Sequence, residues 1–194
     1  MDGHADFAAL IQRCSDKAYN FAYRLAGNEQ DARDLVQEAF THALEHFDKY
    51  DPTRPFEPWI NRILKNIYLD GIRRYAHKHT ISLDGPSPME GMGWENLIPG
   101  SDATPAESMD EKDTNELVQK ALGTLPIEYR TAVTLCDIEK YSYERISEIV
   151  GCPIGTVRSR IHQGRLLMRK AFEQLQYGIS SGRIAEARLK PSRQ

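Results

Sequence analysis

The feature that most restricts this chain is an interruption. Residues 80–110 show no hydrophobic period and hold Pro86, Pro88, Pro99 and Pro105 together with Gly85, Gly91, Gly93 and Gly100. The stretches on either side are strongly periodic. A segment of that length without a period is rare inside one compact domain, so the pattern predicts two small domains joined by a strap. The strap is acidic: residues 80–113 carry eight carboxylates against Lys112 alone. Trp94, Leu97 and Ile98 are out of place in a solvated spacer and are expected to dock on a partner.

The flanking periods are helical. Phe7, Leu10, Ile11, Cys14, Ala18, Phe21, Ala22 and Leu25 recur at spacings of three and four, the apolar stripe of an amphipathic helix over residues 5–26. Gly27 ends it, and Asn28 caps the next. That helix places Ala32, Leu35, Val36, Ala39, Phe40, Ala43 and Phe47 inward, with Asp34, Glu38 and Glu45 on the other side. Pro52, Pro55 and Pro58 break the pattern. A third helix is predicted from Phe56 or Pro58 to about His77, with Trp59, Ile60, Ile63 and Ile67 facing inward. Beyond the strap, Leu117, Ala121 and Leu122 open a fourth helix. Leu125-Pro126 breaks it, Ile127 to Asp137 forms the next, and Ser142 caps a short helix with Ile146, Ile149 and Val150. After the turn Gly151-Cys152-Pro153, a last helix carries Val157, Ile161 and Met168 on its inner face. No strand pattern appears. The predicted class is all-α: an N-terminal domain over 1–79, an acidic flexible linker over 80–111, a C-terminal domain over 112–177 and a basic, flexible tail over 178–194.

Composition narrows the class. The 194 residues are 40% hydrophobic and 27% charged, the balance of a soluble globular protein, not of a collagen or a disordered chain. No apolar run approaches the roughly 18 residues of a membrane span, and the N-terminus lacks the pattern of a cleaved leader. Cys14, Cys136 and Cys152 are odd in number and far apart, which argues against a disulfide framework and for a reducing cytoplasm. With His77 and His79 they make no zinc spacing, so no metal or cofactor is expected. No phosphate loop and no catalytic triad pattern is visible.

The net charge of −3 hides its distribution. Residues 54–79 carry six basic against two acidic side chains, and residues 154–172 carry five basic and no acidic ones. Two basic segments separated by an acidic one suggest two polyanion-binding faces. The sharper lies in residues 142–170. A short capped helix, a tight glycine turn and a basic helix make a helix-turn-helix. Arg158, His162, Arg165 and Arg169 fall on one ridge about 16 Å long. Thr156, Ser159, Arg160 and Gln163 complete the candidate reading surface. Arginine reads guanine edges bidentately, and glutamine prefers adenine. A helix N-terminus adds amides for a phosphate.

IGTVRSRIHQGR, preceded by ISEIVGCP, resembles the promoter-reading helix-turn-helix of bacterial sigma factors of the extracytoplasmic-function type. DARDLVQEAF at 31–40 is similar to that family's polymerase-docking motif, and FEPWINRILKNIYLDGIRR at 56–74 to its strand-opening helix. The resemblance covers about residues 5–175, in the family's order.

The resemblance implies an initiation factor, not an enzyme. It would bind the β′ and β subunits of core RNA polymerase, recognise −35 and −10 promoter elements and help open the DNA. It implies docking through Asp31, Asp34, Leu35, Gln37, Glu38 and Thr41. It implies −10 contacts from Arg62, Lys65, Asn66, Arg73 and Arg74, joined by Lys49, Tyr50 and Arg54 of the loop before the third helix. It assigns −35 contacts to the helix-turn-helix residues named above. It implies a cytoplasmic protein, monomeric when free, without membrane insertion, and controlled by an anti-sigma factor. The chain departs from the family at Arg33, where an acid is usual, and at Gln163 and Gly164, where a base and an alanine are usual. An altered −35 preference is expected from the latter two, Gly164 by permitting close backbone approach. Two other readings, a free-standing dimeric regulator and a nucleic-acid-processing protein, lack a dimer seam and a carboxylate or metal cluster, respectively.

Overall fold

The computed structural model describes residues 3–80 and 109–188, with side chains described over 6–76 and 114–175. The acidic strap between the two spans, with Trp94, Leu97 and Ile98, lies outside the described residues. Among the described residues seven α-helices appear in order: α1 (Gly3–Ala26), α2 (Glu29–Glu45), α3 (Phe56–Thr80), α4 (Met109–Gly123), α5 (Ile127–Val133), α6 (Tyr143–Val150) and α7 (Ile154–Arg188). A 3-10 turn (Phe47–Lys49) follows α2, and a π turn (Thr134–Ile138) follows α5. Among the described residues there is no strand.

The element ends follow from local chemistry. Gly27 takes φ +93°, the left-handed conformation that closes α1. Asn28 then caps α2, its Oδ1 accepting from the Asp31 amide at 2.9 Å while its Nδ2 donates to the Asp31 carboxylate at 2.8 Å. Ser142 caps α6 through the Arg145 amide, and Gly151, at φ +72°, turns the chain out of it. The helix expected over Ile127–Asp137 is divided, its last turn widening to the π form over Thr134–Ile138. α7 runs on through Arg188, so residues 178–188, expected as flexible tail, are helical.

α1, α2 and α3 pack against one another, and α4, α5 and α6 pack on or beside α7. Phe21, Leu25, Ile60 and Leu64 are fully buried in the first group, and Leu122, Leu125, Leu135, Ile146, Ile149 and Ile161 in the second. Burying each such side chain contributes about 1.5–3 kcal/mol, the main stabilisation available to groups this small. The two groups are not separate bodies. α3 lies against α6, and α1 against α4, α5 and the π turn, so one continuous core includes residues of both.

Candidate nucleic-acid interface

The helix-turn-helix is α6, the turn Gly151-Cys152-Pro153 and the start of α7. Ser147 braces the turn by donating its hydroxyl to the Cys152 carbonyl, and the Val157 amide closes the first turn of α7 on the Pro153 carbonyl. Val157 and Ile161 face inward, at 0% and 1% exposure. That fixes the rotation of α7, and Arg158, Ser159, His162, Gln163, Arg165, Leu166 and Arg169 face outward. Thr156 and Arg160 are half-buried. The ridge expected from sequence is therefore present, but its members are not equivalent. Arg158 and Arg169 have no ion-pair partner among the described residues. Arg160 turns back to the turn, its guanidinium 3.7 Å from the Cys152 sulfur.

Arg165 is held across the fold. Its Nε and Nη2 grip both oxygens of Asp137 in the π turn, the Nε bond at 2.9 Å, and Nη2 also approaches the Cys136 sulfur. The pair keeps the Asp137 carboxyl below its ordinary value, chiefly through the Arg165 hydrogen bonds. With one edge committed to Asp137, Arg165 ties α7 to the end of α5. The expectation for Gly164 is corrected as well. It is buried and points at α5, not outward; a Cβ there would stand 2.5 Å from Val133 Cγ2 and 3.2 Å from the Tyr129 carbonyl oxygen. The close approach it permits is helix to helix.

The second basic face is on α3. Arg62, Asn66, Arg73 and Arg74 are exposed. Arg73 pairs with Asp70 at 3.1 Å, and Arg74 Nε reaches the Asp70 carbonyl. Lys65 is half-buried, and its Nζ donates to the Val150 carbonyl at the end of α6. Burial lowers its pKa, with Arg62 and Arg73 adding to the effect.

The loop before α3 is prebuilt. Tyr50 stands among the rings of Phe47, Phe56 and Trp59, at centroid distances of 5.2–5.7 Å. Its hydroxyl donates to the Arg54 carbonyl at 2.6 Å. Asp51 accepts from the Thr53 amide and hydroxyl and pairs with Arg54. Tyr50 is thus the internal strut of the loop, while Lys49 and Arg54 face solvent.

A third surface lies along α1 and α2. Phe7, Ile11, Tyr19, Val36, Phe40 and Leu44 line an open apolar groove, with Arg33, Gln37 and Thr41 at its edge. Asp34 and Glu38 are exposed on α2. Asp31 is exposed but already serves the α2 cap. Leu35, expected at this surface, is instead 7% exposed on the core-facing stripe. Its position in the repeat that carries Ala32 and Ala39 turns it inward.

Sequence reasoning missed Arg130, which is 3% exposed and donates to the carbonyls of Leu25, Gly123 and Leu125 at 2.7, 2.6 and 3.2 Å. A signal existed. Arg130 follows Ile127 by three residues and precedes Thr134 by four, so it sits on the buried stripe of its helix. It also missed Asp137, whose partner is 28 residues away.

Comparisons with known proteins give the family. The family model for Sigma-70 region 2 matches residues 10–78, and that for Sigma-70, region 4 matches residues 115–168. The ECF RNA polymerase sigma factor SigW of Bacillus subtilis is 32% identical over 169 residues, covering 87% of this chain and 90% of SigW. This chain belongs to the ECF sigma factor family. The ECF RNA polymerase sigma factor SigE of Mycolicibacterium smegmatis is 40% identical over 161 residues, 82% of this sigma factor but 59% of SigE. Among solved structures, the sigma factor RpoE from Bartonella quintana, crystallised with the anti-sigma factor NepR, shares the fold. Its TM-score is 0.70 at 24% identity, with 87% of this chain and 97% of that one covered. Among the described residues no helix is long and apolar enough to cross a membrane.

Proposed function

We propose that this sigma factor binds core RNA polymerase, carries it to a set of promoters and helps open the DNA there. The observation that carries the reading is the pairing of two basic helical faces, α3 and α7, on matches to region 2 and region 4 in the family's order. α7 presents Arg158, Ser159, His162, Gln163 and Arg169 to a major groove at the −35 element. α3 presents Arg62, Asn66, Arg73 and Arg74 to a −10 element, where cations must follow the freed backbone and an amide can meet a displaced base. The preformed loop around Tyr50 offers Lys49 and Arg54 beside it. The groove on α1 and α2 gives the polymerase an apolar seat edged by Arg33, Gln37 and Thr41, and the exposed carboxylates of Asp34 and Glu38 on α2 supply orientation and association rate.

The chain contributes binding and positioning, and bond-making belongs to the polymerase. The setting is the cytoplasm, and control falls to an anti-sigma factor, as the NepR-bound relative suggests. Co-elution of the purified chain with core polymerase on gel filtration tests the reading. A complex that Glu38→Arg weakens at least about tenfold, some 1.4 kcal/mol, supports it. Absence of a complex, with an operator-type footprint by the chain alone, supports a free-standing regulator instead.

A further inference from the structure

Lys140 is out of character for its backbone. Among the described residues it is the one non-glycine at positive φ, +60°, between the π turn and the Ser142 cap of α6. Glycine or asparagine usually takes that conformation, because a longer side chain crowds its own backbone there. The turn imposes it: the Glu139 amide donates to the Thr134 carbonyl and the Tyr141 amide to the Leu135 carbonyl, both at 3.0 Å. A glycine would serve that turn without strain, so the turn explains the conformation but not the lysine. The side chain is exposed, and its Nζ donates to the Asp137 carbonyl. It has no carboxylate partner among the described residues. The same Asp137 turns its carboxylate to Arg165 on the outward side of α7. Two cations from different elements thus meet at one residue, Lys140 at its main chain and Arg165 at its side chain. The Lys140 charge also helps to lower the Asp137 carboxyl, after the Arg165 hydrogen bonds. Glu139, the neighbouring acid, is half-buried and interacts instead with Lys17, Glu57 and Arg24 of α1 and α3. The corner is therefore cationic: Lys140 and Arg165 against Asp137, with Arg169 one turn beyond Arg165 on the same ridge.

We propose that Lys140 is a phosphate-binding residue, which holds the DNA backbone at the edge of the −35 groove beside the Asp137–Arg165 pair. The proposal rests on the sigma-factor reading of α7. A helix-turn-helix sets the N-terminal residues of its second helix on base edges while its first helix crosses the backbone. Lys140 stands just before the Ser142 cap of that first helix, so docking brings it to the strand that flanks the groove. An ammonium on a flexible stem is a point charge there and reads no base. Arg165 is less suited to the task, because Asp137 already occupies its Nε–Nη2 edge. On binding, Lys140 exchanges a neutral acceptor, the Asp137 carbonyl, for a charged phosphate oxygen, which makes the stronger hydrogen bond.

The test compares wild type, Lys140→Gly, Lys140→Asn and Lys140→Arg in the full chain bound to core polymerase, on promoter duplexes of varied −35 sequence over a range of salt. Glycine and asparagine both tolerate the left-handed backbone, so the turn survives while the charge is lost. Each is expected to weaken binding about fivefold at low salt, equally across −35 sequences. Each is also expected to make the slope of log affinity against log salt shallower by about 0.9, the release of one phosphate's counterion. Lys140→Arg is expected to keep the wild-type slope. A slope unchanged in both uncharged variants overturns the proposal, whatever their melting temperatures, because a lysine that only braces the turn would not move it. A loss that varies with −35 sequence overturns it too. Where wild type with polymerase binds no promoter, the chain alone is titrated on the same duplexes. A slope that depends on Lys140 there upholds the phosphate contact and overturns the sigma-factor reading, and no binding overturns both.

Discussion

At residue scale the decisive facts are which way side chains point and what holds them. Gly164 shows this. Alanine is favoured over glycine in a helix interior by about 1 kcal/mol, yet the new Cβ would meet Val133 Cγ2 at 2.5 Å. Overpacking of that kind costs about 1–3 kcal/mol. Gly164→Ala is therefore expected to lower stability in urea unfolding and to leave −35 base preference unchanged. Asp137 makes a second prediction. Its carboxyl is held below the ordinary 3.8 by Arg165. Stability from a depressed acid is present above the unfolded pKa and lost as pH falls through the folded one. Asp137→Asn should cost at most about 1 kcal/mol at neutral pH, because the pair is partly exposed. It should also remove the loss that wild type shows as pH falls below the ordinary carboxylate range. Glu139 runs the other way: burial raises its carboxyl, so its contribution is full at low pH and lost as pH rises. The difference between wild type and Asp137→Asn, followed by thermal unfolding against pH, cancels that opposing slope. Some of this scale was legible. Asn28, Ser142 and Gly151 are local punctuation whose partners lie within four residues, and each acts as its type predicts. Gly164 was misread because a glycine has no side chain to mark it as part of the buried stripe; Leu35 was read inward from its period, as found, and only the resemblance set it among the docking residues.

At element scale, helix identity follows from apolar spacing, and function follows from what that spacing leaves outside. α7 buries Val157 and Ile161 and so must expose Arg158 and His162. The π turn was not legible, because Thr134, Leu135 and Ile138 fit a continuous α-helix equally well. Its consequence is concrete, since it carries Asp137 to Arg165. The loop over residues 50–55 was legible as a turn from its prolines but not as a preformed unit. That property comes from Tyr50, whose ring joins Phe47, Phe56 and Trp59 while its hydroxyl holds the Arg54 carbonyl. Tyr50→Phe keeps the ring cluster and releases the Arg54 carbonyl. The expected outcome is an unchanged melting temperature within about 1 kcal/mol of stability but weaker discrimination between −10 sequences. Competition between single-stranded −10 oligonucleotides for the polymerase complex measures it. Discrimination equal to wild type would show that the loop needs no internal strut.

At the scale of the whole molecule, sequence composition suggested two lobes on a strap, and the helices do form two groups. Their union was invisible. It is made by backbone carbonyls at helix ends and by Arg24, Asn61, Gln119 and Tyr141, whose partners lie 80–96 residues away. No short-range pattern reports such pairs. The account's central claim is that α3 and α7 together direct a polymerase that alone cannot choose a start site. Run-off transcription tests it most directly, using core polymerase, a promoter selected by this chain, and wild type beside Arg158→Ala. The account predicts one discrete transcript only when the wild-type chain is present. It predicts at least about a tenfold loss with Arg158→Ala, the cost of one good base contact. A transcript of equal yield without the chain, or none with it, would contradict the account.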